Sequence, residues 1–106
     1  MARYEFEVDL GEVTDGESES LGFYDRLPTE DELDKAFRAH MAWYAEDVGE
    51  EYYAKLAGGA GKGLGPAVFD HEFRDGIGVS YMLGVYEVFG TVMKVSSEET
   101  QSWEDE

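Results

Sequence analysis

The sequence predicts an α+β domain of two layers, in which an antiparallel sheet is covered on one face by helix. The opening residues alternate apolar and charged side chains, as a half-buried strand does. Residues 28–57 carry apolar side chains at helical spacing, and two alternating apolar stretches follow a glycine-rich connector. In chain order this gives ββαββ, with four or five strands and either one long helix or two short ones. We expect residues 1–95 to form one domain and residues 96–106 an acidic, flexible tail.

The first predicted element is a hairpin. Residues 3–10 alternate apolar with charged side chains, which is the period of a strand with one buried face. The Asp15-Gly16 pair that follows is typical of a two-residue type I′ turn. Such a turn would place Val8 opposite Phe23, so that apolar side chains meet across the two strands.

A helix is predicted to begin after Thr29. Thr29 and Glu32 have the spacing of a capping box, in which each side chain binds the other residue's backbone N–H. Gly49 should end or kink this helix, because glycine inside a helix is about 1 kcal/mol less favourable than alanine. The apolar stripe expected to face the sheet is Leu33, Phe37, Met41, Tyr44 and Val48.

A second hairpin is predicted after the connector. A three-residue loop that ends in Gly76 would place Phe69 opposite Tyr81 and His71 opposite Val79. This register keeps apolar residues on one face, whereas a two-residue loop would mix polar and apolar faces.

The stretch 77–95 is expected to form either one long strand bent at Gly84 and Gly90 or two strands that meet there. If side chains alternate without interruption along this stretch, a second group of apolar residues lies on the sheet face away from the helix. A monomer rarely leaves such a patch open, so a homodimer through this face is one expectation. The residues of that predicted patch are Tyr24, Met82, Tyr86, Val88 and Val92.

The sequence offers no catalytic or metal-binding signature. There is no cysteine, which excludes disulfides, thiolate metal sites and cysteine nucleophiles. Lys62 lies among glycines but lacks the following serine or threonine of a phosphate-binding loop. In Asp70-His71-Glu72, neighbouring strand residues point to opposite faces, which disfavours a metal site. We therefore expect no enzyme activity, no metal and no cofactor.

The opening residues do not resemble a signal peptide, and the most apolar stretch, residues 77–95, contains charges and glycines. No membrane span is therefore predicted. Cytoplasmic residence is the expectation, in the host cytoplasm if the protein is viral.

The charge balance is the unusual feature of the composition. Twenty-five acidic and eight basic residues give a net charge of -17. Residues 1–27 carry -6, whereas residues 58–95 carry only -1. A field of this sign disfavours direct binding to nucleic acid or anionic lipid and favours a basic protein partner.

Alternate residues of a strand lie about 6.7 Å apart, so the acids of the first strand form an evenly spaced row. Such a row predicts a nucleic-acid mimic that occupies the phosphate-binding groove of a DNA- or RNA-binding protein. In charge and size, the chain is analogous to small viral inhibitors of CRISPR effectors and restriction enzymes. The predicted partner-binding residues are Glu5, Glu7, Asp9, Glu12, Asp15, Glu17, Glu19, Glu30, Asp31 and Trp103.

The alternative expectation is adaptation to molar salt. Four lysines, one isoleucine and no asparagine accompany the acidic residues, a bias like that of proteins from halophilic organisms. The acidity would then serve solubility, and the chain would be a small viral or cellular assembly subunit.

Overall fold

A computed structural model describes residues 3–14, 18–59, 61–72 and 76–95. Its chain order is ββααβββ, which confirms the predicted α+β fold and resolves the helical region into two helices. A 3-10 turn, Gly11–Thr14, follows the first strand. The elements are β1 (Arg3–Asp9), β2 (Ser18–Tyr24), α1 (Glu30–Val48), α2 (Glu50–Leu56), β3 (Val68–Asp70), β4 (Gly76–Leu83) and β5 (Tyr86–Val95).

The five strands form one antiparallel sheet in the order β2-β1-β5-β4-β3. The first and last strands therefore lie side by side in the middle, and β2 and β3 form the edges. Both helices connect β2 to β3 and lie on one face of the sheet. The core between the layers is formed from both, chiefly by Phe6, Val8, Leu33, Phe37, Met41, Tyr44, Val79, Tyr81, Val88 and Val92.

The predicted start of α1 is confirmed. The Thr29 hydroxyl accepts the Glu32 backbone N–H at 3.2 Å, and the Glu32 carboxylate accepts the Thr29 N–H at 2.9 Å. The Arg26 guanidinium donates to both carboxylate oxygens of Glu32, at 2.7 and 2.8 Å. Gly49 separates α1 from α2, as its position predicted. Within the described residues, neither helix is both long and apolar enough to cross a membrane.

The Glu32 carboxylate is expected to make the free energy of unfolding depend on pH in the acid range. The Arg26 guanidinium, with the Thr29 backbone N–H, lowers the pKa of Glu32 from 4.5 to about 2. Because the pKa is lower in the folded state, this stabilisation is complete above about pH 4.5 and is lost as the pH falls through about 2. The free energies of unfolding of the wild type and Glu32→Gln, measured by urea melts, should therefore converge as the pH is lowered. Those of the wild type and Arg26→Gln should converge in the same way. If the free energies of unfolding of the wild type and Glu32→Gln differ by the same amount at every pH, the lowered pKa of Glu32 is contradicted.

Tyr81 joins the sheet to α1. Its ring stacks on Phe37 with centroids 4.3 Å apart, and its hydroxyl donates to the Asp34 carboxylate at 2.7 Å. Burial, followed by this hydrogen bond, raises the pKa of the Tyr81 phenol. Asp34 also accepts from Arg38 at 2.9 Å, and Arg38 donates to the Gly65 carbonyl at 3.1 Å. These contacts hold the glycine-rich connector against the helix layer.

The predicted register of the first hairpin is wrong. Val8 pairs with Glu19 rather than with Phe23. The physical reason lies at the end of β1, where the Asp9 carboxylate accepts the Gly11 N–H at 2.7 Å and the chain turns into the 3-10 turn. The connection is therefore longer than two residues, and the predicted type I′ turn lies outside the described residues.

The predicted register of the second hairpin is also wrong, although its faces are right. Phe69 pairs with Val79 rather than with Tyr81, a shift of two residues that keeps Phe69 on the helix side. β3 ends at Asp70, whose carboxylate accepts the backbone N–H two residues later at 3.0 Å. His71 thus lies beyond the strand and has no partner in the ladder.

β4 and β5 meet at a two-residue turn formed by Gly84 and Val85. This confirms the alternative of two strands. Because the turn has two residues, the side chains of β5 lie on the opposite faces from those predicted by continuous alternation through residues 77–95.

The predicted dimer patch is wrong, because only Met82 of its members lies away from the helices. The turn accounts for the three members on β5, whereas Tyr24 lies on β2 and pairs with Tyr4 in the first hairpin. The residues that lie on the helix side instead are Tyr24, Tyr86, Val88 and Val92.

Candidate partner-binding face

The sheet face opposite the helices, hereafter the open face, carries acidic side chains along β1, which lies between the edge strand β2 and the central strand β5. Glu5, Glu7 and Asp9 lie there because they alternate along β1 with the buried Phe6 and Val8. The row predicted from the sequence therefore exists as a geometric feature. Asp9 differs from the other two, since its carboxylate already caps the turn after β1.

Exposed apolar side chains share the open face with this acidic row. Five of them lie on the open face: Phe23 (51% exposed), Val68 (63%), Met82 (48%), Phe89 (39%) and Met93 (48%). Glu5 lies between Phe23 on β2 and Met93 on β5, and Asp9 has Phe89 as its neighbour on β5. Aromatic and methionine side chains are enriched at protein interfaces, so this mixed composition is typical of a docking surface.

Ion pairing distinguishes the acids of the open face from those at the start of α1. Within the described residues, Glu5, Glu7 and Glu87 form no ion pair, so their charges are available to a partner. The first half of α1 is different, because each of its carboxylates has a cationic or histidine neighbour. Those pairs are Glu30 with His71 (2.5 Å), Asp31 with Lys35 (3.1 Å), Glu32 with Arg26 (2.7 Å) and Asp34 with Arg38 (2.9 Å).

The structure does not bring all the predicted partner-binding residues together. Three of them share the open face: Glu5, Glu7 and Asp9. Three lie on the helix side and have pairing partners within the chain: Glu19, Glu30 and Asp31. The other four lie outside the part of the chain whose side chains the structure describes: Glu12, Asp15, Glu17 and Trp103.

Sequence reasoning missed a furrow on the open face. β4 presents only small residues there, Gly78 and Ser80, while Phe89 on β5 and Val68 on β3 rise on either side. The furrow has a volume of about 750 Å³. Recognition of the two-residue turn at Gly84 would have placed Phe89 on the open face, beside Ser80.

A second group of acidic side chains lies where α1 meets α2. Glu46 and Asp47 occupy the last turn of α1, where the helix dipole disfavours anions, and no basic residue accompanies them. Glu50 and Glu51 begin α2. None of these four forms an ion pair within the described residues. Unpaired negative charge is therefore not confined to the open face.

Both histidines join the helix layer to an edge of the sheet. His40 on α1 stacks on Trp43, with ring centroids 5.6 Å apart, and its Nε2 lies 3.4 Å from the Glu19 carboxylate on β2. His71 follows β3 and contacts Glu30 at the start of α1. In the described part of the chain, no three histidine or acidic side chains are grouped as a metal ion would require.

Comparisons with known proteins give no family for this chain. No protein-family model, no curated protein and no solved structure matches it. A functional assignment must therefore start from the geometry of the open face.

Proposed function

We propose that this protein is a non-enzymatic acidic binding domain that mimics nucleic acid and inhibits a DNA- or RNA-binding protein. Its class would be that of viral anti-defence inhibitors such as anti-CRISPR proteins. The observation that supports this most is the position of Glu5 and Glu7. Both lie unpaired, among the described residues, on an inner strand of the open face, next to exposed apolar side chains.

The partner's nucleic-acid-binding surface is the feature that these carboxylates would match. A protein that binds nucleic acid presents lysine and arginine side chains to phosphate groups, and it releases bound ions when those contacts form. Carboxylates fixed on a strand offer the same charge without the cost of ordering a flexible chain. Phe23, Phe89 and Met93 add apolar contact beside the charges, which a phosphate backbone does not offer. The partner would thus be a basic protein with apolar residues next to its phosphate-binding groove.

A competition assay tests this function. Purified CRISPR effectors, restriction endonucleases and other nucleic-acid-binding proteins would each be bound to a labelled duplex, and the acidic protein would be added. At least one of them should release its duplex, and the release should weaken steeply as salt rises. If the duplexes stay bound across a broad set of such proteins at low salt, the proposal is wrong.

The second candidate, a salt-adapted assembly subunit, is favoured by the acids at the α1–α2 junction. Glu46, Asp47, Glu50 and Glu51 lie far from the open face in the fold, on the helix layer, and have no ion pair in the described residues. Acidity spread over both layers is the distribution that hydration in high salt requires.

A thermal melt separates the two candidates. We expect the protein to remain cooperatively folded at about 0.05 M KCl, with its melting temperature changing little at about 2 M. A salt-adapted protein would instead unfold at the lower concentration, because its own negative charges repel one another there. Unfolding at low salt would therefore favour the assembly subunit.

A further inference from the structure

The furrow on the open face is wide enough to hold a long side chain of a partner. Its floor is Gly78 and Ser80 on β4, and its walls include Phe89 on β5 and Val68 on β3. Phe89 is 39% exposed and Val68 63% exposed, so both walls offer apolar surface to an incoming group. The acidic row lies one strand away, because Glu7 pairs with Thr91, which also lines the furrow.

The charges around the furrow are negative. Asp70, Glu72 and Glu87 line it, and none of them forms an ion pair within the described residues. His71 also lines the furrow, but its Nε2 contacts Glu30 on α1. An apolar slot with carboxylates at its rim complements a side chain that has an apolar stem and a cationic end.

We propose that this furrow is the anchor site for an arginine side chain of the basic partner, an inference that rests on the proposed function. The arginine stem would lie over Ser80, and the guanidinium plane would stack on Phe89. Its N–H groups would donate to Glu87, which lies two residues from Phe89 on the same face of β5, and Asp70 would add negative charge at the other end of the furrow. Arginine is favoured over lysine because a planar guanidinium stacks on an aromatic ring and donates in two directions at once.

A second copy of this chain is a poor occupant of the same face. Each copy carries a net charge of -17. Two open faces in contact would bring Glu5, Glu7, Asp70 and Glu87 of one copy against those of the other, and these like charges would repel one another. Charge complementarity therefore selects a basic partner rather than a homodimer.

The test compares an arginine homopeptide with a lysine homopeptide of equal length, both labelled for fluorescence anisotropy. The wild type should bind the arginine peptide roughly threefold to tenfold more tightly. Ser80→Leu fills the furrow floor without adding an aromatic ring on which a guanidinium could stack, and it should abolish this preference. Ser20→Leu is the matched control, because Ser20 is exposed on the open face opposite Glu7 but does not line the furrow. It should keep the preference.

Equal affinity of the wild type for the two peptides, or a preference that survives in Ser80→Leu, would overturn the anchor site. If Ser80→Leu does not fold, Phe89→Leu replaces it, since leucine keeps apolar surface but removes the aromatic face and should also abolish the preference. The duplex-competition assay reports separately on the proposed function. If the protein displaces duplex but shows no preference for arginine, only the anchor site in the furrow is refuted. If it prefers arginine but displaces no duplex, only the inhibitor function is refuted.

Discussion

Replacing Gly84 with alanine is expected to lower the free energy of unfolding by about 2 to 4 kcal/mol. Gly84 forms the β4–β5 turn with a φ of +64°, a backbone conformation that a side chain disfavours. An added Cβ would also lie 2.1 Å from the Leu56 carbonyl oxygen at the end of α2. The position of a Cβ is fixed by its own backbone and the Leu56 oxygen belongs to the backbone, so neither atom can rotate away. The loss is large against the roughly 5 to 15 kcal/mol by which a typical domain is stable.

Gly61→Ala is the matched control for this prediction. Gly61 also has a positive φ, +79°, but an added Cβ there has no neighbour within 4 Å. It should therefore cost only the conformational part, about 1 kcal/mol. Chemical denaturation of the two variants measures the difference. Equal losses would mean that the contact between the turn and α2 contributes nothing to stability.

The helical layer was predictable because its signals are local. The capping box of Thr29 and Glu32, the apolar stripe and the break at Gly49 all lie within one continuous stretch and depend on no distant partner. The strands were harder because their register depends on the turns. At Asp9 and at Asp70, a carboxylate closes a turn directly after the strand, and this sets a register that alternation alone does not contain.

The same distinction applies to the candidate site. Alternation along β1 was enough to place Glu5 and Glu7 on one face, because it is a property of a single strand. The open face of β4 also followed from alternation, but the furrow needs Phe89 of β5 on that same face, and the two-residue turn at Gly84 decides this. The pairing of Asp31 with Lys35 has a visible i, i+4 spacing, whereas that of Glu30 with His71 spans 41 residues and has no local signal.

Reversal of Glu5 and Glu7 to lysine together is expected to weaken duplex displacement by at least about a hundredfold. Each lysine would face the partner's own cations, so an attraction becomes a repulsion at the centre of the contact. Asp9 is left unchanged because its carboxylate caps the turn after β1, and its loss would confuse binding with stability. Since Glu7 is exposed and Glu5 half-buried, with no ion pair to break in the described residues, the melting temperature should change little.

The matched control is the reversal of Glu46 and Asp47 to lysine. Both double variants change the net charge from -17 to -13, so they differ only in the surface that carries the change. The control should also fold, because lysine suits the C-terminal turn of α1 better than an acid does. It should keep displacement within about threefold of the wild type, the small change expected when charges outside a contact are altered. Equal losses in the two variants would mean that net charge rather than the open face governs binding, and the salt-adapted subunit would then be the better account.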